Sequence, residues 1–210
     1  MSLETKIIIP AAGFGTRVGS PEAKEMLILQ DQQPLIDFAI QLAKENQAVA
    51  HVITRKEKKS LIAHLQNQTA VNIQLIEPSK EWPDTILKSK DFWGDYNILI
   101  LPDTRFAPTS IIPQLISDLS NHDITVGYFE PNQLDSWGAF DITSSSYRLI
   151  EKPKQENTKN LKAWGIIGFR KNIGEELFKL ILESTLDHQF KSTSFSFKAT
   201  ALEFFNDLTR

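Results

Sequence analysis

Short apolar runs alternate with longer stretches of helical period through the first two thirds of the chain. Residues 6–10, 49–53, 72–76, 97–101 and 124–128 are brief and apolar enough to be buried strands. Between the first two lies residues 34–46, where Leu35, Ile36, Phe38, Ala39, Leu42 and Ala43 fall on one side at helical spacing. Pro34 stands where a first-turn proline is tolerated. Residues 56–65 and 109–119 have the same character. Strands separated by helices in this order predict an α/β fold with a doubly wound, mostly parallel sheet. Right-handed crossovers then put helices on both faces. Ligands of such sheets bind beyond the carboxyl ends of the strands, so the residues that follow each strand are the first candidates for chemistry.

The pattern changes in the last third. Residues 137–142 and 147–150 predict a hairpin turning at 144–146, and residues 154–160 predict a polar loop. A further strand is expected over 163–169, and helices over 173–186 and 195–208. The chain shows no internal repeat, and 210 residues suit one domain.

Composition removes several classes of function. There are no cysteines, which excludes disulfides, thiol catalysis and cysteine-bound metals. The formal net charge of -3 offers no basic excess for nucleic acid. Residues 1–6 do not read as a signal peptide, and no apolar run approaches the roughly 20 residues that span a bilayer. The expected address is the cytoplasm, with no membrane partner. His51, His64, His122 and His188 lack metal-ligand spacing.

The first strand runs into Ala11-Ala12-Gly13-Phe14-Gly15-Thr16-Arg17-Val18-Gly19. Glycines at 13, 15 and 19 let backbone N–H groups converge on one point, a nest that attracts phosphate oxygens. Arg17 adds a planar fork that suits phosphate, and Lys24 a second positive charge. A dinucleotide-binding turn needs its third glycine three residues after the second, and here the spacing is one residue longer. A P-loop ends in Gly-Lys-Ser/Thr, which Gly19-Ser20-Pro21 does not supply. A glycine turn without a ligand stays open at this point.

The run Ile9-Pro10-Ala11-Ala12-Gly13-Phe14-Gly15-Thr16-Arg17, followed by Lys24-Glu25-Met26-Leu27, resembles the signature of sugar-phosphate nucleotidyltransferases, the nucleotide-sugar pyrophosphorylases typified by glucose-1-phosphate thymidylyltransferase. Gln33-Pro34-Leu35-Ile36 is similar to the start of that family's first helix. The resemblance implies a Rossmann-like nucleotide-diphospho-sugar transferase fold. It implies that Ala11, Ala12, Gly13, Gly15, Thr16, Arg17 and Lys24 clasp a nucleoside triphosphate. It also implies that Asp103, after the strand at 97–101, holds Mg²⁺, although Pro102 replaces the family's usual glycine. Such a site suits magnesium, which prefers one or two carboxylates plus substrate phosphates. Glu151-Lys152-Pro153 and Gly138 look like the sugar-binding elements of members that use hexose 1-phosphates, and Gly165 matches the glycine that closes the sugar pocket. By this resemblance residues 1–130 form a nucleotide-binding part and residues 131–210 a sugar-binding part, short at its C-terminal end. The expected reaction is transfer of a nucleotidyl group from an NTP to a sugar 1-phosphate, with release of pyrophosphate.

Two departures stand out. The family reads the base with a glutamine and a Gly-Thr-Ala or Gly-Leu-Ala segment; here Glu77 and Trp82-Pro83-Asp84-Thr85-Ile86 take their place. Ionised, Glu77 has no donor and favours a base edge that offers one, such as an amino group of cytosine or guanine. The family's later metal-binding aspartate, in a Val-Asp-Thr-Gly-like segment, has no evident counterpart: Asp187 and Asp207 lack its context, and Glu203 and Asp207 read as one face of a helix. A non-catalytic nucleotide or nucleotide-sugar binding homologue, and a cytidylyltransferase acting on a non-sugar phosphate, are the alternatives.

Overall fold

The computed structural model describes residues 3–13, 23–28, 32–77, 79–143, 147–154 and 160–207. Four strands, β1 (Thr5–Pro10), β2 (Val49–Thr54), β3 (Val71–Leu75) and β4 (Tyr96–Ile100), form the parallel part of the sheet. Their order is β3-β2-β1-β4, with Ile7 opposite Ala50 on one side and Ile98 on the other. Strand order therefore reverses between β1 and β4, and that crevice is where a doubly wound sheet receives its ligand.

Alternation along β1 divides the core. Ile7 and Ile9 face a layer formed by α1 (Asp37–Glu45), α2 (Lys59–Gln66) and α4 (Ile111–Asp118). Ile8 faces α3 (Trp82–Leu87) and α5 (Lys171–Asp187) on the opposite side. All three isoleucines are fully buried, as strands covered on both faces require.

The sheet continues in antiparallel fashion. A short β5 (Thr104–Ala107) follows β4 but stands outside this sheet, which goes on through β6 (Ile124–Phe129), β7 (Gly138–Asp141) and β8 (Tyr147–Glu151). The long β9 (Leu161–Arg170) is the seam: Ala163 pairs with Phe129 on one edge and with Ala139 on the other. Beyond Ala163, β9 pairs antiparallel with β4, which joins the two halves into one sheet. The structure thus has the α/β architecture expected from the chain pattern, a mixed sheet that is mostly parallel at its core.

The chain from 195 to 208 was expected to be helical. Instead, after β10 (Lys191–Thr193), it forms β11 (Phe197–Ala201), parallel to β6, and β12 (Phe204–Asp207), antiparallel to β5. The reason is a period of two: Phe195, Phe197 and Ala199 pack on the core while Ser196, Lys198 and Thr200 alternate with them. Glu203 and Asp207 therefore do not share a helix face. Residues 82–87, quoted only as a base-reading segment, form α3, with Pro83 in its first turn. The turn at 144–146 and most of the loop at 154–160 lie outside the described residues.

Candidate active site

β1 delivers Ala11 and Ala12 into the crevice. Both are buried, and Ala11 is pinned to the neighbouring strand: its N–H donates to the Ile53 carbonyl at 2.7 Å, and Thr54 Oγ1 donates to its carbonyl at 3.3 Å. Gly13 opens outward, since a Cβ added there would meet nothing within 4 Å. Gly15, Thr16 and Arg17, on which the loop's phosphate chemistry was expected to centre, lie outside the described residues.

The chain re-enters the description in a single 3₁₀ turn, Lys24–Met26. Lys24 Nζ donates to Asp103 Oδ2 at 2.5 Å. Asp103 follows β4 and is only 5% exposed. Two residues singled out from sequence, 79 positions apart, thus meet where strand order reverses. A carboxylate facing an ammonium in a crevice is a matched pair that an incoming phosphate and cation can separate, each taking one partner.

Beside this pair lies a second that sequence reading missed. Glu25 is fully buried, and Lys58 Nζ donates to both its carboxylate oxygens, at 2.8 and 2.9 Å. Burial pulls the Lys58 amine below the usual lysine range; Glu25 opposes that shift, whereas Arg55 and Lys24 add to it. Lys56, Lys58 and Lys59 look like a solvated charge run, and nothing local marks Lys58 as the buried member.

The C-terminal strand also reaches this end of the sheet. β12 pairs with β5 so that Asn206 lies opposite Arg105 and Asp207 opposite Thr104. Residue 207 therefore stands across from the immediate neighbour of Asp103. Among the described residues, no three His, Asp or Glu side chains gather into a ready metal cage.

At the sugar end, a Cβ on Gly138 would come within 2.0 Å of Trp164 Nε1 and 2.2 Å of Glu151 Oε1. The space beside that glycine is filled by two nearly buried side chains of the protein itself, and Trp164 rests against Trp82 with ring centroids 5.2 Å apart. Gly165 similarly accepts the ring of Phe205, whose nearest carbon would lie 2.5 Å from an added Cβ. Lys152 is exposed, with φ of 50°, and its N–H donates to the Trp137 carbonyl at 3.0 Å. Next to it opens a cleft of about 680 Å³ whose lining includes Phe129, Trp137 and Phe205 together with Asn132, Gln133 and Asn206. Phe129 and Phe205 stack at 4.2 Å, and Trp137 meets Phe129 edge-on at 4.8 Å. At the base end, Glu77 is exposed and lies 3.6 Å from Lys56, whereas Thr85 is buried in α3.

The family model for nucleotidyl transferases matches residues 6–202. The chain belongs to the nucleotidyl transferase family. Solved structures share the fold of this nucleotidyl transferase at low identity. One, from Bacillus anthracis, is assigned as a glucose-1-phosphate thymidylyltransferase in complex with sucrose; it matches with a TM-score of 0.77 and 16% identity over 98% of this chain and 90% of its own. A UDP-glucose pyrophosphorylase from Acinetobacter baumannii matches with a TM-score of 0.75 and 18% identity, over 99% and 89%. HddC from Yersinia pseudotuberculosis, complexed with GMP-PN, matches with a TM-score of 0.69 and 16% identity, over 98% and 94%. No curated protein matches. Among the described residues of this nucleotidyl transferase, no helix is long and apolar enough to cross a membrane.

Proposed function

We propose that this nucleotidyl transferase moves a nucleotidyl group from an NTP to a sugar 1-phosphate and releases pyrophosphate. The observation that carries this reading is the Lys24–Asp103 pair in the crevice between β1 and β4, at the exit of the glycine-rich loop. The nearly buried carboxylate of Asp103 fits an oxygen-ligated Mg²⁺. Asp103 would hold that ion, which when bound would supply charge neutralisation on the phosphates.

The chain's own part follows from charge. Ala12 and Gly13, and by the resemblance Gly15 and Thr16, would offer backbone N–H groups to the polyphosphate, while Ala11 anchors the strand end through the Ile53 carbonyl. Lys24 leaves Asp103 for an α-phosphate oxygen, and Arg17 would stabilise the departing pyrophosphate. An oxygen of the acceptor's phosphate attacks the α-phosphorus in line; the new P–O bond forms as the bond to pyrophosphate breaks. A phosphate oxyanion needs no strong base, so catalysis is positioning and electrostatic stabilisation. Glu77 and Thr85 flank the route to the base. For the acceptor, the aromatic cleft beside Lys152 supports a sugar laid against Trp137 and Phe205, with the Lys152 ammonium at its phosphate. Glu151, Gly138 and Gly165 shape the wall behind it.

The filled space beside Gly138 favours one second reading, a non-sugar phosphate acceptor used with CTP. Both are tested by pyrophosphate release from five NTPs, dTTP included, with Mg²⁺, against hexose 1-phosphates, phosphocholine and methylerythritol phosphate. Release with a hexose 1-phosphate is expected. Release only with a non-sugar phosphate selects the second reading, and nucleotide binding with no release from any pair would overturn both.

A further inference from the structure

Glu25 and Lys58 are the most deeply buried charged pair in the described residues, with side chains 0% and 5% exposed. Neither is used by the mechanism above. Such pairs forfeit hydration, and replacing one by well-packed apolar side chains is often neutral or stabilising. Lys58 bears a further penalty. It is the N-cap residue of α2, where the helix's unpaired N–H groups repel a cation. Fold stability alone therefore does not account for the pair.

Its effect is positional. Lys24 and Glu25 are consecutive in one 3₁₀ turn, and their side chains reach different partners, Asp103 and Lys58. The Glu25 carbonyl accepts from the Ile36 N–H at 3.1 Å, and the Leu27 carbonyl from the Leu35 N–H at 3.0 Å. The backbone of the turn is thus fastened to the approach of α1, and its side chain to the start of α2. With Glu25 held on both sides, the direction in which Lys24 leaves the turn is set.

We propose that the Glu25–Lys58 pair is a strut that positions Lys24 for the substrate phosphate. Both are positioning residues, and neither touches substrate. The catalytic consequence rests on the nucleotidyl-transfer reading; the geometric one does not.

The test uses the full chain with E25Q, K58M and the apolar double variant E25M/K58M. Three quantities are measured: kcat and KM for pyrophosphate release, the acetylation rate of Lys24 followed by mass spectrometry, and the melting temperature. The single variants are expected to lower kcat by about tenfold or more with KM changed by less than about threefold, the pattern of an interaction made in the transition state. Lys24 should acetylate several times faster once its direction is no longer fixed. The double variant should melt no lower than the single variants, yet keep the low kcat and fast acetylation. Wild-type kcat and slow acetylation in the double variant would overturn the strut, since packing alone would then suffice. Wild-type values in both singles would overturn it equally. If the unmodified chain releases no pyrophosphate, nucleotidyl transfer falls, and acetylation alone decides the strut.

Discussion

At the scale of single residues the decisive contact is Lys24 Nζ to Asp103 Oδ2. In the proposed mechanism this ammonium changes partner from carboxylate to α-phosphate and contributes most when charge builds on that phosphate. Lys24→Met should therefore lower kcat by about 10²- to 10³-fold, the usual cost of one lost oxyanion contact. KM for the nucleotide should change far less, and steady-state kinetics separates the two; an unaltered kcat removes Lys24 from the mechanism. A second residue gives the fold a pH response. His51 is fully buried in β2, with Nε2 2.9 Å from Gln74 Oε1 and Nδ1 without a hydrogen-bond partner. Burial first, then Lys6, lowers its pKa, against the raising effect of the Gln74 bond. The folded state holds His51 neutral, whereas the unfolded chain takes up a proton below about pH 6.5. Below that pH the unfolded state binds more protons, so stability falls as pH falls and is fully present above it. Urea denaturation between pH 5 and 7.5 should show this slope, and His51→Gln should flatten it.

At the scale of elements, β12 does the unexpected work. Its register with β5 brings Asp207 opposite Thr104, beside Asp103. If Asp103 holds Mg²⁺ as proposed, Asp103→Asn should raise the Mg²⁺ concentration needed for half-maximal pyrophosphate release by about 10-fold or more. Wild-type metal dependence in that variant would remove Asp103 from the metal site. The parallel strands were legible because each is a short apolar run covered on both faces, as Ile7, Ile8 and Ile9 illustrate. Lys24 and Asp103 were legible because one follows a glycine-rich loop and the other ends a strand. The last strands were not, since Phe195, Phe197, Phe204 and Phe205 supply apolar positions compatible with either period. What decides between them is pairing with β6 and β5, far earlier in the chain, and no local pattern records that. The same non-local logic hid Lys58 behind Glu25, and hid the filling of the space beside Gly138 by Trp164, which arrives 26 residues later.

At the scale of the whole molecule, substrate recognition and fold stability are one equilibrium. The crevice exists only in the folded chain, because residues from β1, β4 and the turn at Lys24–Met26 must come together to form it. A ligand that binds this arrangement and not the unfolded chain stabilises by RT ln(1 + [L]/Kd), about 2.7 kcal/mol at a hundredfold excess over Kd. In a chain of this size each kcal/mol raises the melting temperature by about 2–4 °C, so a saturating NTP with Mg²⁺ should add about 5–10 °C. The order among ligands carries the physics. With a net charge of -3 the molecule has no general attraction for anions, and sulfate at equal ionic strength should add little. If the loop, Lys24 and a cation recognise the polyphosphate as proposed, the shift should fall steeply from triphosphate to monophosphate of the same nucleoside. Lys24→Met should compress that ladder without abolishing it. Equal shifts for the monophosphate and triphosphate would instead assign the binding energy to the base, and the polyphosphate cradle would have to be given up.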